Sequence, residues 1–234
     1  MPRPHPLPPD GDRATLVVNP AATTTRPELR DLILAALGGA VALDVRLTAG
    51  PGHATELAAA ARDRGDRAVV VLGGDGTANE VVQALAGSGT ALGLVPGGGA
   101  NVLVRGLGLP TDPVAAAARL LGALRADRRR RVGLGRAGTR LFTFAAGMGF
   151  DAAVVRRVED RPRRKRRLRH AAYLLDAVTE WRSGPHARGV VRAEVDGAVT
   201  GPHAVAVVGN ATPWSALGRI VVDAMEELEL LDGL

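Results

Sequence analysis

The 234-residue chain contains no cysteine. That excludes a disulfide framework and any thiolate-ligated metal, and it fits a reducing compartment such as the cytosol. Aromatic residues amount to 3%, with two Trp, one Tyr and three Phe. A core must therefore be built from Ala, Val and Leu, and a surface for stacking nucleobases is not on offer. Lysine is nearly missing: Lys165 is the only one, and the other basic side chains are arginine. With heavy Ala, Gly and Val usage, this reflects a GC-rich coding sequence. The net charge of +6 is accordingly no sign of a nucleic-acid partner. No apolar run approaches the ~20 residues of a membrane span. Met1 to Asp12 is Pro-rich and polar, unlike a signal peptide, and residues 1–12 are expected to form a disordered lead.

What the chain has is enough apolar content for a core, 46%, and glycine in two patterned places. Residues 73–77 read Gly-Gly-Asp-Gly-Thr, directly after the apolar run Ala68-Val69-Val70-Val71-Leu72. A short β-branched run ending in glycines reads as a buried parallel strand entering a tight loop. The following Ala78-Asn79-Glu80-Val81-Val82-Gln83-Ala84-Leu85 has helical periodicity. Loop N–H groups would then sit at a helix N-terminus, where anions bind. An aspartate there would repel a bare phosphate. It fits if a cation lies between them, or if it orients another residue. A second loop of the same kind, Pro96-Gly97-Gly98-Gly99-Ala100-Asn101, follows the apolar run Ala91-Leu92-Gly93-Leu94-Val95. Two consecutive strand–loop–helix units place both loops at the carboxyl end of a parallel sheet, where such folds bind ligands.

Along the chain, Ala14–Val18 reads as a strand ending at Asn19-Pro20. A helix follows to about Leu37, with Thr25 and Glu28 at capping-box spacing and Pro27 in its first turn. A strand over Val41–Leu47 and a helix over Gly52–Arg64 come next, and a helix over Asp112–Leu124 closes the unit. This alternation predicts a parallel α/β domain over residues 13–128. Beyond Arg128-Arg129-Arg130-Arg131 the pattern becomes α+β. Strands are expected at Arg131–Leu134 and Arg140–Ala146, then a charged helix from about Ala152 to Trp181. Strands at Val190–Val195 and Ala204–Val208 are expected to join through the turn Asp196-Gly197. The fold class is thus α/β, with residues 129–234 forming a mainly antiparallel, β-sandwich-like second domain. Trp181 and Trp214 are expected to pack.

Taken together, the motifs resemble those of the diacylglycerol kinase catalytic-domain family, the soluble bacterial lipid kinases related to sphingosine kinases and more distantly to NAD kinases. The segments carrying the resemblance run in order along nearly the whole chain. They begin with Val17-Val18-Asn19-Pro20, Thr48 with Gly52-His53-Ala54, and Gly73 through Glu80. Pro96 through Asn101, Arg105 with Leu107-Gly108-Leu109-Pro110, and Gly147-Met148-Gly149-Phe150-Asp151-Ala152 complete them. The Asn79-Glu80 pair favours the lipid-kinase branch. The resemblance implies ATP and Mg²⁺, and γ-phosphoryl transfer to a hydroxyl of a diacylglycerol-like or sphingoid-like lipid. It implies that Asn19, Pro20, Ala21, Ala22, Thr23, Thr48, Gly73, Gly74, Asp75, Gly76, Thr77, Ala78, Asn79, Glu80, Gly98, Gly99 and Asn101 line the nucleotide. Asp75 would be the catalytic carboxylate and a Mg²⁺ contact, direct or through water. A cytoplasmic protein meeting its lipid substrate at the inner face of the membrane follows, and a homodimer stays open.

Departures from the family pattern are part of the same reading. Gly99 stands where the family usually has a hydroxyl residue. Val102 and the segment Arg131-Val132-Gly133-Leu134 lack two carboxylates of the family's aspartate–magnesium network. The family's late Asp-Gly-Glu motif, which holds its general base, has no counterpart, so the chain is expected to be truncated at its C-terminus. Its final Leu231-Asp232-Gly233-Leu234 resembles an earlier Asp-Gly-Leu stretch, which makes Asp232 a second metal candidate. A kinase of NAD or another small molecule, and a nucleotide-binding protein without catalysis, are the alternatives. His53 reads as a helix N-terminal residue or a phosphate contact, and Asp151 as a helix N-cap or a substrate-side residue. From Arg156 to Arg169 nine basic residues face only Glu159 and Asp160. That run is either a solvated face or a peripheral contact with anionic membrane lipid.

Overall fold

The computed structural model describes residues 13–22, 25–161, 164, 168, 170–184, 189–210, 215–217 and 220–222. Its first part alternates strand and helix: β1 (Arg13–Val18), α1 (Pro27–Leu37), β2 (Ala42–Leu47), α2 (His53–Asp63) and β3 (Ala68–Gly73). Then come α3 (Asp75–Leu85), β4 (Ala91–Pro96), α4 (Val102–Gly106) and α5 (Pro113–Arg125). The four strands form one parallel sheet in the order β2-β1-β3-β4. Successive side chains of a strand point to opposite faces, so a run of valines feeds two cores. Leu16, Val18, Val70 and Leu72 pack with Ile33 and Leu37 of α1 and Ala117 and Leu124 of α5. Val17, Val69 and Val71 pack on the other face with Ala54, Ala58 and Ala61 of α2 and Ala78 and Val81 of α3. Among the described residues the largest fully buried side chains are Leu, Ile and Val, with no aromatic among them, in line with the composition.

Helix ends show where local signals were overridden. Pro27 opens α1, but Arg26 is the N-cap and makes no side-chain cap bond. The Thr25 hydroxyl, expected to cap, is buried with no partner among the described residues. At α5, Asp112 caps by accepting from the N–H of Ala115 at 2.8 Å.

A charged cluster holds the amino ends of β1 and β3. The Asp66 carboxylate, fully buried, accepts from Thr15 Oγ1 at 2.6 Å, Arg13 Nε at 2.8 Å and Arg64 Nη2 at 3.0 Å. Burial alone raises its pKa, but the hydrogen bonds from Thr15, Arg64 and Arg13 outweigh that and hold it below the ordinary carboxylate value. A depressed folded-state pKa gives stability that is complete above the unfolded value of ~3.9 and is lost as pH falls towards the lower folded value. Urea denaturation followed from neutral to strongly acidic pH should show this acid limb, and Asp66→Asn should flatten it. An unchanged limb in that variant would show that other carboxylates set it.

By contacts, the residues up to Phe144 cluster as one unit. Asn210 returns to the first unit, and Ala145–Gly209 forms a second. Arg131–Leu134 is not a strand. The hairpin lies just beyond, in β5 (Gly135–Ala137) and β6 (Arg140–Phe142) turning at Gly138. The Gly133 carbonyl accepts instead from the Asn210 side chain at 2.9 Å.

The second unit contains β7 (Ala145–Gly149), α6 (Phe150–Glu159), α7 (His170–Ser183), β8 (Val191–Val195), β9 (Ala198–His203) and β10 (Val205–Gly209). The expected single helix is interrupted among the described residues, one helix ending at Glu159 and another running from His170. Pro162 in the sequence disfavours helix at the residue before it, and α6 ends at Glu159 with Asp160 as its C-cap. The Asp196-Gly197 turn does reverse the chain, both residues having positive φ. Because a two-residue turn returns the chain at once, β8 pairs with β9, and β10 pairs antiparallel with β7. The later strands are antiparallel, as expected. Two short strands, β11 (Ser215–Leu217) and β12 (Ile220–Val222), also pair antiparallel.

Candidate functional site: two glycine loops at the carboxyl ends of the strands

Both glycine loops leave the carboxyl ends of adjacent strands, β3 and β4, and they pack backbone on backbone. The N–H of Gly97 donates to the Gly73 carbonyl at 2.7 Å, carrying the parallel ladder beyond the strands. A Cβ on Gly98 would lie 2.7 Å from Gly74 Cα, and one on Gly97 would lie 3.0 Å from Gly73 Cα. Glycine is needed here first because two loops share one space, before any ligand is considered. Gly76 is the contrast: it is exposed, and a Cβ there would meet nothing within 4 Å.

Asp75 opens α3, and its carboxylate crosses to the second loop. One oxygen accepts from Val102 N–H and the other from Leu103 N–H, each at 3.0 Å. These are first-turn donors of α4, whose N-cap Asn101 makes no side-chain cap bond of its own. Asp75 therefore orients another element, one of the two roles the sequence left open. Asn101 sits at φ 48°, a conformation that Asn tolerates better than most residues. Its side chain closes the loop on itself, accepting from Gly98 N–H at 3.0 Å and donating to Gly98 O at 2.8 Å.

Asn19 joins the first strand to this crest. Its Nδ2 donates to Thr77 Oγ1 at 3.0 Å, and its Oδ1 accepts from Ala21 N–H at 2.9 Å. That second bond shapes the Asn19-Pro20-Ala21-Ala22 turn. Thr48 ends β2 and donates its N–H to the Val18 carbonyl at 2.9 Å. Glu80 Oε2 accepts from Ala54 N–H at 3.2 Å in the first turn of α2, and His53 Nδ1 accepts from Ala49 N–H at 2.9 Å. Ala78 lies in the core beneath the loop. Asn79 Oδ1 is buried and has no partner among the described residues. The structure therefore gathers Asn19, Gly73–Thr77 and Gly97–Asn101 into one crest, with Glu80 and Thr48 on its flank. Thr23 and Asp232 lie outside the described residues, as do Trp214 and Arg163, Lys165, Arg166, Arg167 and Arg169.

Sequence reasoning missed Gln83. Its amide donates to Leu141 O and accepts from Leu141 N–H, both at 3.0 Å, as a strand would. Nothing in the local sequence marks that role, since the partner is far along the chain. Beside it an open cavity of about 400 Å³ is lined by Gly52, Thr55, Glu80, Gln83, Thr139 and Arg140. A larger cavity of about 630 Å³ lies at the opposite, amino ends of the strands, around Arg62, Arg67, Asp127 and Arg129. Its arginines are spent on structure: Arg67 donates to Leu124 O and Asp127, and Arg129 to Asp127 and Gly89 O.

In the second unit, Asp151 lies inside α6, and Gly149, at φ 80°, is the N-cap. Burial pushes the Asp151 carboxyl pKa up. The basic run is not simply a solvated face. Arg157 pairs with Glu180, and Arg161 and Arg164 both pair with Asp176, on buried acids of α7.

Fold and site together define an α/β protein with a paired glycine-loop crest on a four-stranded parallel sheet. The family model for the diacylglycerol kinase catalytic domain matches residues 13–136, and the chain belongs to that family. Among curated relatives, a probable lipid kinase (YegS-like) of Pseudomonas aeruginosa is 34% identical over 174 residues, 74% of this chain and 55% of the relative. A protein of the same description from Chromohalobacter salexigens is 36% identical over 149 residues, 62% of this chain and 46% of its own length. The chain spans about half the length of the curated relatives it matches. A solved diacylglycerol kinase structure from Bacillus anthracis shares the fold, with a TM-score of 0.65 at 24% identity over 90% of this chain and 67% of that one.

Proposed function

We propose that the chain serves ATP-dependent transfer of the γ-phosphoryl group to a lipid hydroxyl, with the glycine-loop crest as the phosphate cradle. The observation that carries this reading is the pairing of the two loops. Gly74 caps α3 with no side-chain cap bond, which leaves the first-turn N–H groups without a capping acceptor, next to an exposed Gly76. Such donors favour phosphate, and phosphoryl transfer depends on positioning and charge neutralisation more than on covalent help. Buried orphan acceptors beside the loops, Asn79 Oδ1 and Thr25 Oγ1, fit a site that a nucleotide would complete.

Magnesium fits only as part of a metal–nucleotide complex. Among the described residues no group of three His, Asp or Glu side chains could hold a metal. Asp75 would serve as a contact to a nucleotide-borne ion, because Mg²⁺ takes most of its oxygens from phosphates and water. When bound, that ion would neutralise phosphate charge. The chain's own contribution is Asp75 fixing α4, Asn19 fixing Thr77, and the loop N–H groups orienting the phosphates.

Incubation with γ-labelled ATP and a panel of dioleoylglycerol, sphingosine and NAD tests the reading. Label is expected in a solvent-extractable lipid product. Label in phosphorylated NAD alone would replace the lipid acceptor with a soluble one. Absence of ATP binding in equilibrium dialysis would overturn the cradle itself.

A further inference from the structure

Among the described residues, one group of exposed apolar side chains lies on α7: Leu174, Leu175, Val178 and Trp181. Trp181, expected to pack, meets Phe150 edge-on at 6.0 Å between ring centres and is still 66% exposed. Another group lies on β2, the strand at one end of the parallel sheet. Val45 is 36% and Leu47 51% exposed, and Arg46 between them is exposed as well. At the other end of the sheet, Gly93 to Pro96 of β4 are buried. Of these surfaces, β2 is the one whose sequence says what it fits.

The backbone of β2 limits what can add to it. Thr48 donates its N–H to Val18 O on β1. The N–H and C=O groups of Arg46 and Asp44, two and four residues back, therefore turn towards β1 as well. Those of Leu43, Val45 and Leu47 turn outward, and no strand among the described residues takes them. A row of unpaired donors and acceptors is a template for another strand. The common protections are missing, since residues 42–47 hold no Pro, no Gly and no Lys. Pairing with β1 also runs from Arg13↔Ala42 to Val18↔Leu47 with no bulge to twist the edge away. The two charges of the strand are of opposite sign. Asp44 meets Arg46 at 2.9 Å and Arg64 at 3.4 Å on the same face.

That pattern is complementary to itself. With a second β2 laid antiparallel about a two-fold axis at Val45, Val45 faces Val45, Leu43 faces Leu47 and Asp44 faces Arg46. The outward groups of Leu43, Val45 and Leu47 then form the hydrogen-bonded pairs, each exchanging two bonds. Asp44 and Arg46 form the closer pairs, with Cα atoms about 4.5 Å apart. Moving the axis to Asp44 sets two aspartates opposite each other, and moving it to Arg46 sets two arginines so. Like charges directly opposite disfavour both registers. On the α1 face, Leu43 already packs against the core. Pairing would carry that apolar row through Val45 and Leu47 into the second copy.

We propose that β2 pairs with β2 of a second copy of this chain across a two-fold axis at Val45. The two sheets become one, β4-β3-β1-β2 joined to β2-β1-β3-β4. The sequence left a homodimer open, and this edge is its surface. Because the paired strands run in opposite directions, the two glycine-loop crests lie at opposite ends of the joined sheet. The proposal does not rest on the lipid-kinase reading.

Sedimentation velocity over a wide range of protein concentration should show a monomer–dimer equilibrium. Asp44→Arg and Arg46→Asp should each weaken it by more than about tenfold, because each sets two like-charge pairs across the axis. Mixed in equal amounts, the two variant proteins should form a one-to-one heterodimer, since a cation then faces a carboxylate at both pairs. Val45→Cys, in a chain with no other cysteine, should crosslink to its own copy under mild oxidation. The paired Cα atoms, about 5.5 Å apart, lie within disulfide reach. The charge variants should keep the thermal midpoint of dilute wild type, and ATP binding per chain should be the same in monomer and dimer.

A monomer at every concentration would overturn the proposal. So would a dimer that survives both charge variants, or one in which Val45→Cys does not crosslink, because the interface then lies elsewhere. Slow hydrogen exchange at the Val45 amide in monomeric protein would overturn it by showing that another segment of the chain occupies the edge. If the heterodimer forms and ATP does not bind, the kinase reading falls and this one stands.

Discussion

Asp75→Ala should lower stability by about 2–4 kcal/mol, from two lost charge-assisted hydrogen bonds and two orphaned donors, and should abolish ATP binding as well. The carboxylate is the N-terminal anchor of α4, holding Val102 and Leu103 N–H at 3.0 Å each. Val102, Leu103 and Val104 are buried, so those donors cannot turn to water when the carboxylate is removed. The second glycine loop runs directly into α4, and releasing the helix releases the loop. Asp75→Asn keeps one acceptor oxygen and should fall between wild type and alanine. Urea denaturation gives the stability change, and isothermal titration with ATP gives the binding. A positioning role predicts the same loss of ATP binding in EDTA as in magnesium. A contact to the nucleotide-borne ion would add to the loss in magnesium, and loss confined to magnesium at unchanged stability would show that the bonds to α4 carry no part of it.

Gly98→Ala should have the second large effect. Its Cβ would sit 2.7 Å from Gly74 Cα and 3.0 Å from Asn101 Oδ1. Neither neighbour can yield cheaply, because one is backbone and the other is held by two hydrogen bonds within the loop. Overpacking of this kind costs about 1–3 kcal/mol, and here it also spreads the two loops. Gly76→Ala is the matched comparison. With no atom within 4 Å of its Cβ and a place in the first turn of α3, it should hold or gain stability by up to about 0.5 kcal/mol. If phosphate approaches the open backbone at Gly76, the added methyl should still weaken ATP binding. The pair thus separates a glycine required by loop packing from one required by a ligand, through thermal midpoint against ATP affinity. Equal stability of wild type and Gly98→Ala would show that the loops do not depend on their close approach.

How much of this was legible beforehand follows from how local each cause is. Strands β1, β3 and β4 are short β-branched or apolar runs with glycine or Asn-Pro exits, and those signals lie within a few residues. Parallel pairing followed from the alternation with helices, because parallel neighbours need a crossover. The scarcity of aromatics pointed to a core of Ala, Val and Leu, to which the structure adds Ile33. Both loops and their place at the carboxyl ends of the strands were visible for the same reason.

Long-range contacts decided the rest. Local sequence offers Thr25 as a cap, yet its hydroxyl has no partner among the described residues, and nothing near Asn101 in the sequence shows that its side chain closes the loop on Gly98. Asp75 stood open in the sequence as a cation contact or an orienting group, and its orienting bond to Val102, 27 residues on in the chain, is one that no neighbouring residue signals. Gln83 and Asp66 gave no signal, because Gln83 meets Leu141, and Asp66 two of its three partners, more than fifty residues away in the chain. The same holds for α7: its sequence shows apolar and acidic residues on opposite faces, but not which face turns inward. That was settled by Arg157, Arg161 and Arg164 reaching Asp176 and Glu180. Charges can be buried when arginines pair with them, and the apolar face was then left outside. Periodicity in a sequence determines which residues share a face; only tertiary packing determines what that face meets.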